Sequence, residues 1–172
     1  MHSMKLSLHA SDISYILGQS LKRDPDWLPL VDRARNFHLA VFVEPFLTYL
    51  LDGKKTIESR FTRNRVAPFG QVFSGDLLLL KRSGGPIVGV ALVHQPEFLM
   101  LSKETWPRVL SLSKKICADE EFWRQRLNKK YATLLEVTAV RHLNSVEVVK
   151  ADRRPWVVLP KSTQATLPIS CA

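Results

Sequence analysis

The sequence predicts an α+β protein built on a small, bent β-barrel of five to six strands flanked by helices. Three observations predict it. Apolar runs of strand length recur along the chain with short connections between them. Gly89 falls in the middle of one of these runs, where small barrels place a bulge or a tight bend. Helical patterns are confined to a leading extension, one short stretch after the first strand and one region before a late strand, which is the layout of an α+β fold rather than of alternating β and α units.

The composition sets the bounds. With 172 residues, 45% hydrophobic and 24% charged, the chain fits a single domain with a real core and argues against wholesale disorder. The imbalance is one of sign: 25 Lys and Arg face 16 Asp and Glu, a formal charge of +9, which is the electrostatic footprint of a polyanion binder. Cys117 and Cys171 stand far apart with no pairing pattern, so the sequence offers neither a disulfide framework nor a zinc site, and no metal or cofactor is expected. Met1 to Lys5 lack the pattern of a signal peptide, and no apolar run approaches the roughly 18 residues that span a bilayer. A cytoplasmic protein without membrane contact is expected.

Taken in order, residues 1–36 read as a helical extension. Ser11 to Leu17 opens a helix, Leu21 to Pro25 closes it, and Trp27 to Arg35 supplies a second helical turn. Ile13, Ile16, Leu17, Trp27, Leu28, Leu30 and Val31 would be sticky if exposed and are expected to pack on the body of the domain. The body spans 37–160. Phe37 to Val43 is the first strand, nearly all apolar. Pro45 to Asp52 forms a short helix, with Pro45 suited to its start and Gly53 to its stop. A strand runs on from Thr56, followed by a loop from Phe61 to Ser74 that carries Arg63 and Arg65. Gly75-Asp76 launches Leu77 to Arg82, and Ser83 to Pro86 turns the chain into Ile87 to Val93, the clearest hairpin in the sequence. His94 to Phe98 extends or redirects that strand. Ser102 to Lys115 reads as one helix or two turns of one, and Ala118 to Lys130 as a second, acidic at its start and basic at its end as the helix dipole prefers. Tyr131 to Val140 is a long strand, Val146 to Val149 another and Trp156 to Leu159 a last short one. Residues 161–172 carry no pattern and read as a loose tail.

The chemistry is concentrated in Gly53-Lys54-Lys55-Thr56-Ile57-Glu58-Ser59-Arg60. Period two places Thr56, Glu58 and Arg60 on one strand face and Ile57 and Ser59 on the other, while Lys55 sits at the junction where neither period fixes its direction. Glu58 and Arg60 lie close enough to pair. Such a set is either a structural ion pair beside a solvated lysine, or a site in which Glu58 orients Arg60 or accepts a proton while Lys55 meets an anion or acts as a base.

Gly53, Lys55, Glu58 and Arg60 fit the G-x-K-x-x-E-x-R signature of the ASCH domain family, and Gly75-Asp76 with the strand pair after it fits what usually follows. The chain resembles that family from about Phe37 to Val140, and Arg153 to Leu159 is similar to the closing segment of some members. The resemblance implies a PUA-like barrel with a cleft in which the motif residues sit, and a link to RNA. Some members act as ribonucleases, using the motif lysine, a tyrosine on the preceding helix and a hydroxyl on a late strand; here these correspond to Lys55, Tyr49 and either Thr133 or Thr138. Members that deacetylate N4-acetylcytidine use a threonine nucleophile where this chain has Glu58, with Thr56 the nearby hydroxyl.

Three functions follow as expectations. The first is a module that binds single-stranded RNA or a nucleotide, with Lys55, Arg60, Arg63, Arg65, Lys81 and Arg82 gripping phosphate and Phe69 or Trp156 offering a stacking face, unless those rings belong to the core. The second is a hydrolase of RNA or of a modified nucleoside, with Lys55, Glu58 and Tyr49 as its catalytic set. The third is a protein-interaction module that keeps the barrel for other ends.

Overall fold

The structure, a computed structural model, describes residues 9–148 and 153–161. Helices α1 (Ala10–Ser20) and α2 (Leu28–Arg33) precede strand β1 (Asn36–Phe42), and helix α3 (Phe46–Leu51) leads to β2 (Ile57–Thr62). The hairpin β3 (Leu77–Arg82) and β4 (Ile87–Met100) follows, then three short helices, α4 (Trp106–Leu110), α5 (Ser113–Ile116) and α6 (Glu120–Arg124), then β5 (Tyr131–Val146) and β6 (Trp156–Pro160). The strands form one mixed sheet in the order β2-β5-β4-β3-β1-β6. Only β1 and β3 run parallel, with Phe37 opposite Leu77 and Phe42 opposite Arg82; the other neighbours are antiparallel.

The sheet is buried on both faces, and β3 states the rule. Leu77 and Leu79 point to one face, where Ile13, Leu17, Trp27 and Val31 of the N-terminal helices cover them. Leu78 and Leu80 point to the other, where they meet Leu47 and Leu50 of α3, Leu135 of β5 and Trp156 of β6. The apolar residues of the leading helices therefore do pack on the sheet. A third cluster, Val109, Leu112, Ile116 and Phe122 from α4 to α6, packs on Ile57 and Leu134 at the β2-β5 edge.

Bulges curl the sheet. The register slips between Leu80 and Lys81, between Ile87 and Gly89, and on both sides of Val93. Gly89 lies at one of these slips. A Cβ there would stand 2.7 Å from Leu51 Cδ2, 3.1 Å from the Arg141 carbonyl oxygen and 3.2 Å from Leu80 Cδ1, so glycine lets the Leu51 side chain of α3 pack directly on the strand backbone. The result is an α+β half-barrel. Its edge strands β2 and β6 do not pair through their backbones; they approach across a seam.

Several elements differ from the expected ones, each for a physical reason. Strand β5 is continuous to Val146, because His142 and Val146 still pair with Gly89 and Ile87 of β4; no separate strand begins at Val146. Strand β4 continues through Pro96 to Met100, in the half of the strand that pairs only with β5, where a missing N–H is tolerated. The helix expected over Ala118 to Lys130 is only Glu120–Arg124. Asp119 caps its start by accepting from Phe122 N at 2.8 Å, but the Phe122 carbonyl that should take the Arg126 amide takes the Arg126 side chain instead, at 2.7 Å. The Arg126 amide turns to Trp123 O, and the helix ends there. Lys161 anchors to the carbonyls of Val31 and Asp32 at 2.9 and 2.8 Å; the rest of the expected tail, with Cys171, and residues 1–8 lie outside the described residues.

Candidate functional site

Helix α3 ends as its sequence dictates. Gly53 takes a positive φ of 72°, and the chain reverses so that the Lys55 amide bonds to Tyr49 O at 2.8 Å. Thr56 is then held between α5 and β5, its amide on Lys115 O and its carbonyl on Val137 N, both at 3.0 Å. With these backbone bonds in place Lys55 is buried and Thr56 is exposed.

Lys55 is 3% exposed, and its ammonium meets three acceptors: Ile57 O at 2.7 Å, Ile116 O at 3.1 Å and Glu58 Oε2 at 3.4 Å. Burial pushes the ammonium below the ordinary lysine range, and the neighbouring Glu58 opposes that push without cancelling it. The other carboxylate oxygen of Glu58 accepts from Arg60 Nε at 2.6 Å, so one carboxylate holds two cations. The spacing of Glu58 and Arg60 did predict this pair. Arg60 also crosses the seam. Its guanidinium donates to Val41 O of β1 at 3.0 Å and lies 5.0 and 5.2 Å from the ring centres of Phe42 and Trp156, so side chains close the barrel where the backbone does not.

A cleft of about 670 Å³ opens along this seam. Its floor includes Lys55, Glu58, Arg60 and Lys81, with Phe42 and Trp156; its rim adds Arg126 and Lys129 from the α6-β5 connection and Arg153 and Arg154 from the approach to β6. The walls thus carry seven cationic side chains and a single carboxylate, Glu58. Arg126 is half-buried, and burial, partly offset by Glu58 and reinforced by Arg60, lowers its pKa from the ordinary arginine value. Among the described residues no three His, Cys, Asp or Glu are grouped to hold a metal ion, and no helix is long and apolar enough to cross a membrane.

The residues singled out in the sequence fall into two groups. Lys55, Glu58, Arg60 and Lys81 come together in the cleft, although Lys81 is buried and its ammonium is bound to the carbonyls of Arg82 and Gly85 in its own hairpin. Tyr49, Arg63, Arg65 and Arg82 are not among the cleft-lining residues. Tyr49 lies under the Lys54 ammonium, 4.2 Å from its ring centre, and edge-on to Phe46. Arg65 reaches toward Tyr131 and Phe69, Arg82 is ion-paired with Glu44, and Arg63 is exposed. Thr133 is buried directly opposite Arg60 in the β2-β5 register, Thr138 is exposed, and His94 is exposed away from the cleft. Phe69 packs on Phe98 and Tyr131, and Trp156, 2% exposed, forms part of the cleft floor as a core residue rather than a solvent-facing ring.

Sequence reasoning missed Arg126, Lys129, Arg153 and Arg154 as cleft residues. The first two read as ordinary dipole-favouring charges at a helix end, and no local pattern shows that the helix stops short and turns them inward.

A curled, seam-open sheet with a buried lysine-glutamate-arginine set at its seam makes this an α+β half-barrel. Comparison sharpens this to an ASCH-type fold. The ASCH protein of Zymomonas mobilis matches with a TM-score of 0.56 at 17% identity, over 74% of this chain and 90% of that one. Its serine-to-alanine variant matches with a TM-score of 0.58 at 14% identity, and its tyrosine-to-phenylalanine variant with 0.54 at 18%, each again over 74% of this chain. At these identities the likeness is one of fold. No protein-family model and no curated protein matches the sequence.

Proposed function

We propose that the seam cleft binds the phosphates of a nucleotide or of a short single-stranded stretch of RNA. The observation that carries this reading is the charge of its walls, seven cations against one carboxylate in a concavity of ligand size. Low-dielectric walls of one sign concentrate their field in the gap between them, and phosphate is the biological anion that such a gap attracts most strongly. The formal charge of +9 extends the same preference over the whole chain. The likeness of the Gly53-Lys55-Glu58-Arg60 motif to the ASCH family, with its link to RNA, points the same way. In this reading Lys55, Glu58 and Arg60 shape the floor, and Arg126, Lys129, Arg153 and Arg154 meet the ligand.

Hydrolysis has thinner support. Tyr49 is not on the cleft, and a Lys55 ammonium surrounded by three acceptors has no proton left to offer a substrate. The test is the affinity for a short labelled single-stranded oligouridylate across a salt series. The logarithm of affinity is expected to fall steeply with that of salt, by about 0.7 for each phosphate engaged. A flat line at low affinity overturns the proposal.

A further inference from the structure

Of the four arginines that line the cleft, Arg60 and Arg126 both lie against aromatic rings, but they are held differently. Arg60 is tied at two points, donating from Nε to Glu58 and from its terminal nitrogen to Val41 O, with Phe42 and Trp156 beside it. Arg126 is not. Of its five N–H groups, one has an acceptor among the described residues, the Phe122 carbonyl at 2.7 Å.

What holds Arg126 is a ring. Its guanidinium carbon lies 3.4 Å over the centre of Phe122, in direct contact with the ring face. The other rings around Phe122 brace it from the side: Phe61 and Trp123 meet it edge-on, at 82° and 87°, and Phe46 at 60°. Stacking on Phe122 is therefore left to Arg126. Both residues line the cleft, so a planar cation is held against an aromatic ring at the border of the space that a ligand enters.

Resting on the reading of the cleft as an RNA site, we infer that Arg126 is its base-stacking platform, and that the ligand is recognised through an unpaired nucleobase continuing the Phe122-Arg126 stack as well as through its phosphates. A flat guanidinium immobilised on a ring can stack a base of any identity, while its in-plane N–H groups remain available to a phosphate or a base edge. The ligand class is thereby narrowed to single strands, since paired bases present no open face. A phosphate-only site would need the charge but not the plane, and Lys129, Arg153 and Arg154 already supply charge.

The test compares Arg126→Lys, which keeps the charge and removes the plane, with Arg126→Gln, which removes both. The probes are an oligouridylate and an abasic ribose-phosphate oligomer of equal length. The wild type is expected to prefer the oligouridylate by about ten-fold or more, within the range of a single base-aromatic stack. Arg126→Lys should lose most of that preference while keeping the salt dependence, and Arg126→Gln should lose both preference and part of the salt slope, with melting curves used to show that each variant is folded at the assay temperature. If the wild type binds both probes equally with a steep salt dependence, or if Arg126→Lys retains the wild-type preference, the stacking role is overturned and the phosphate reading stands. If the wild type binds neither probe at low salt, both fall together. The wild-type comparison needs no variant, so a misfolded mutant does not leave the question open.

Discussion

The molecule buries two polar networks, and they meet at one tryptophan. On the cleft side, Lys55, Glu58 and Arg60 place two cations on one carboxylate, and Arg60 lies over the Trp156 ring. On the other side, Asp76 receives four donors: His38 Nε2 at 2.8 Å, the Phe73 amide at 2.9 Å, and the amide and side chain of Asn36 at 3.0 and 3.2 Å. Trp156 Nε1 donates to His38 Nδ1 at 3.2 Å, which leaves Nε2 as the ring nitrogen that carries the proton toward Asp76. The second network is sealed, with His38 and Asp76 at 0% exposure, whereas the first forms the wall of an open cleft. Burial and mutual hydrogen bonding are thus common to both and mark neither as functional. What separates them is access and surplus: the cleft network has more cations than anions and solvent at its edge.

Substitutions can break or sharpen this contrast. Asp76→Ala should do the most damage, because it strands four donors in a dry site; a loss of about 3–5 kcal/mol is expected in urea titration. The same network predicts an acid limb. Burial, the largest influence on Asp76, raises its pKa, but the hydrogen bonds from His38, Phe73 and Asn36 together outweigh it and hold the carboxyl below the usual range. The unfolded carboxyl, near 3.9, then binds its proton before the folded one does. Stability from Asp76 is therefore complete above about pH 4 and is lost as pH falls through the depressed folded value, which urea midpoints measured down the acid range will show.

Glu58→Gln comes next. It leaves Lys55 and Arg60 without their shared anion, and about 2–3 kcal/mol is expected, less than for Asp76 because Arg60 keeps some contact with water. A loss as large as that of Asp76→Ala would mean the cleft network is as dry as the sealed one, and the contrast would fail. Gly89→Ala is expected to cost about 1–2 kcal/mol, since the Leu51 side chain must shift and the Arg141 carbonyl is crowded, and thermal melting will register it. Arg63→Ala stands at the bottom of the scale. Arg63 is exposed and off the cleft, so stability should change by less than about 0.5 kcal/mol and oligouridylate affinity very little.

Much of the fold was legible because it is written locally. The apolar runs over Phe37 to Phe42 and Leu77 to Leu80, the helix stop at Gly53 and the mid-strand Gly89 each state their geometry within a few residues. The pairing of Glu58 with Arg60 follows from strand period alone. The site was legible only to the extent that it is local. Arg126 and Arg153 reach the cleft from 66 and 93 residues beyond Arg60, through a helix that ends when one side chain takes a backbone acceptor and through an edge strand that lies beside β1. Arg63 and Arg65 were expected at the cleft for their closeness in sequence. The strand carries them past it, because Thr62 is where β2 ends and the loop departs.

The seam has a temporal consequence as well. Strand β3 lies between β1 and β4, but β2 and β6 each have a neighbour on one side only. In heavy water, the amides of β3 should be the last to take up deuterium, while those of β2 and β6 that face the gap should take it up at a pace set by how long the Arg60 bridge stays closed. A ligand lodged in the cleft would slow the two edges together and leave β3 as it was, so the barrel would report its occupant from the margins inward.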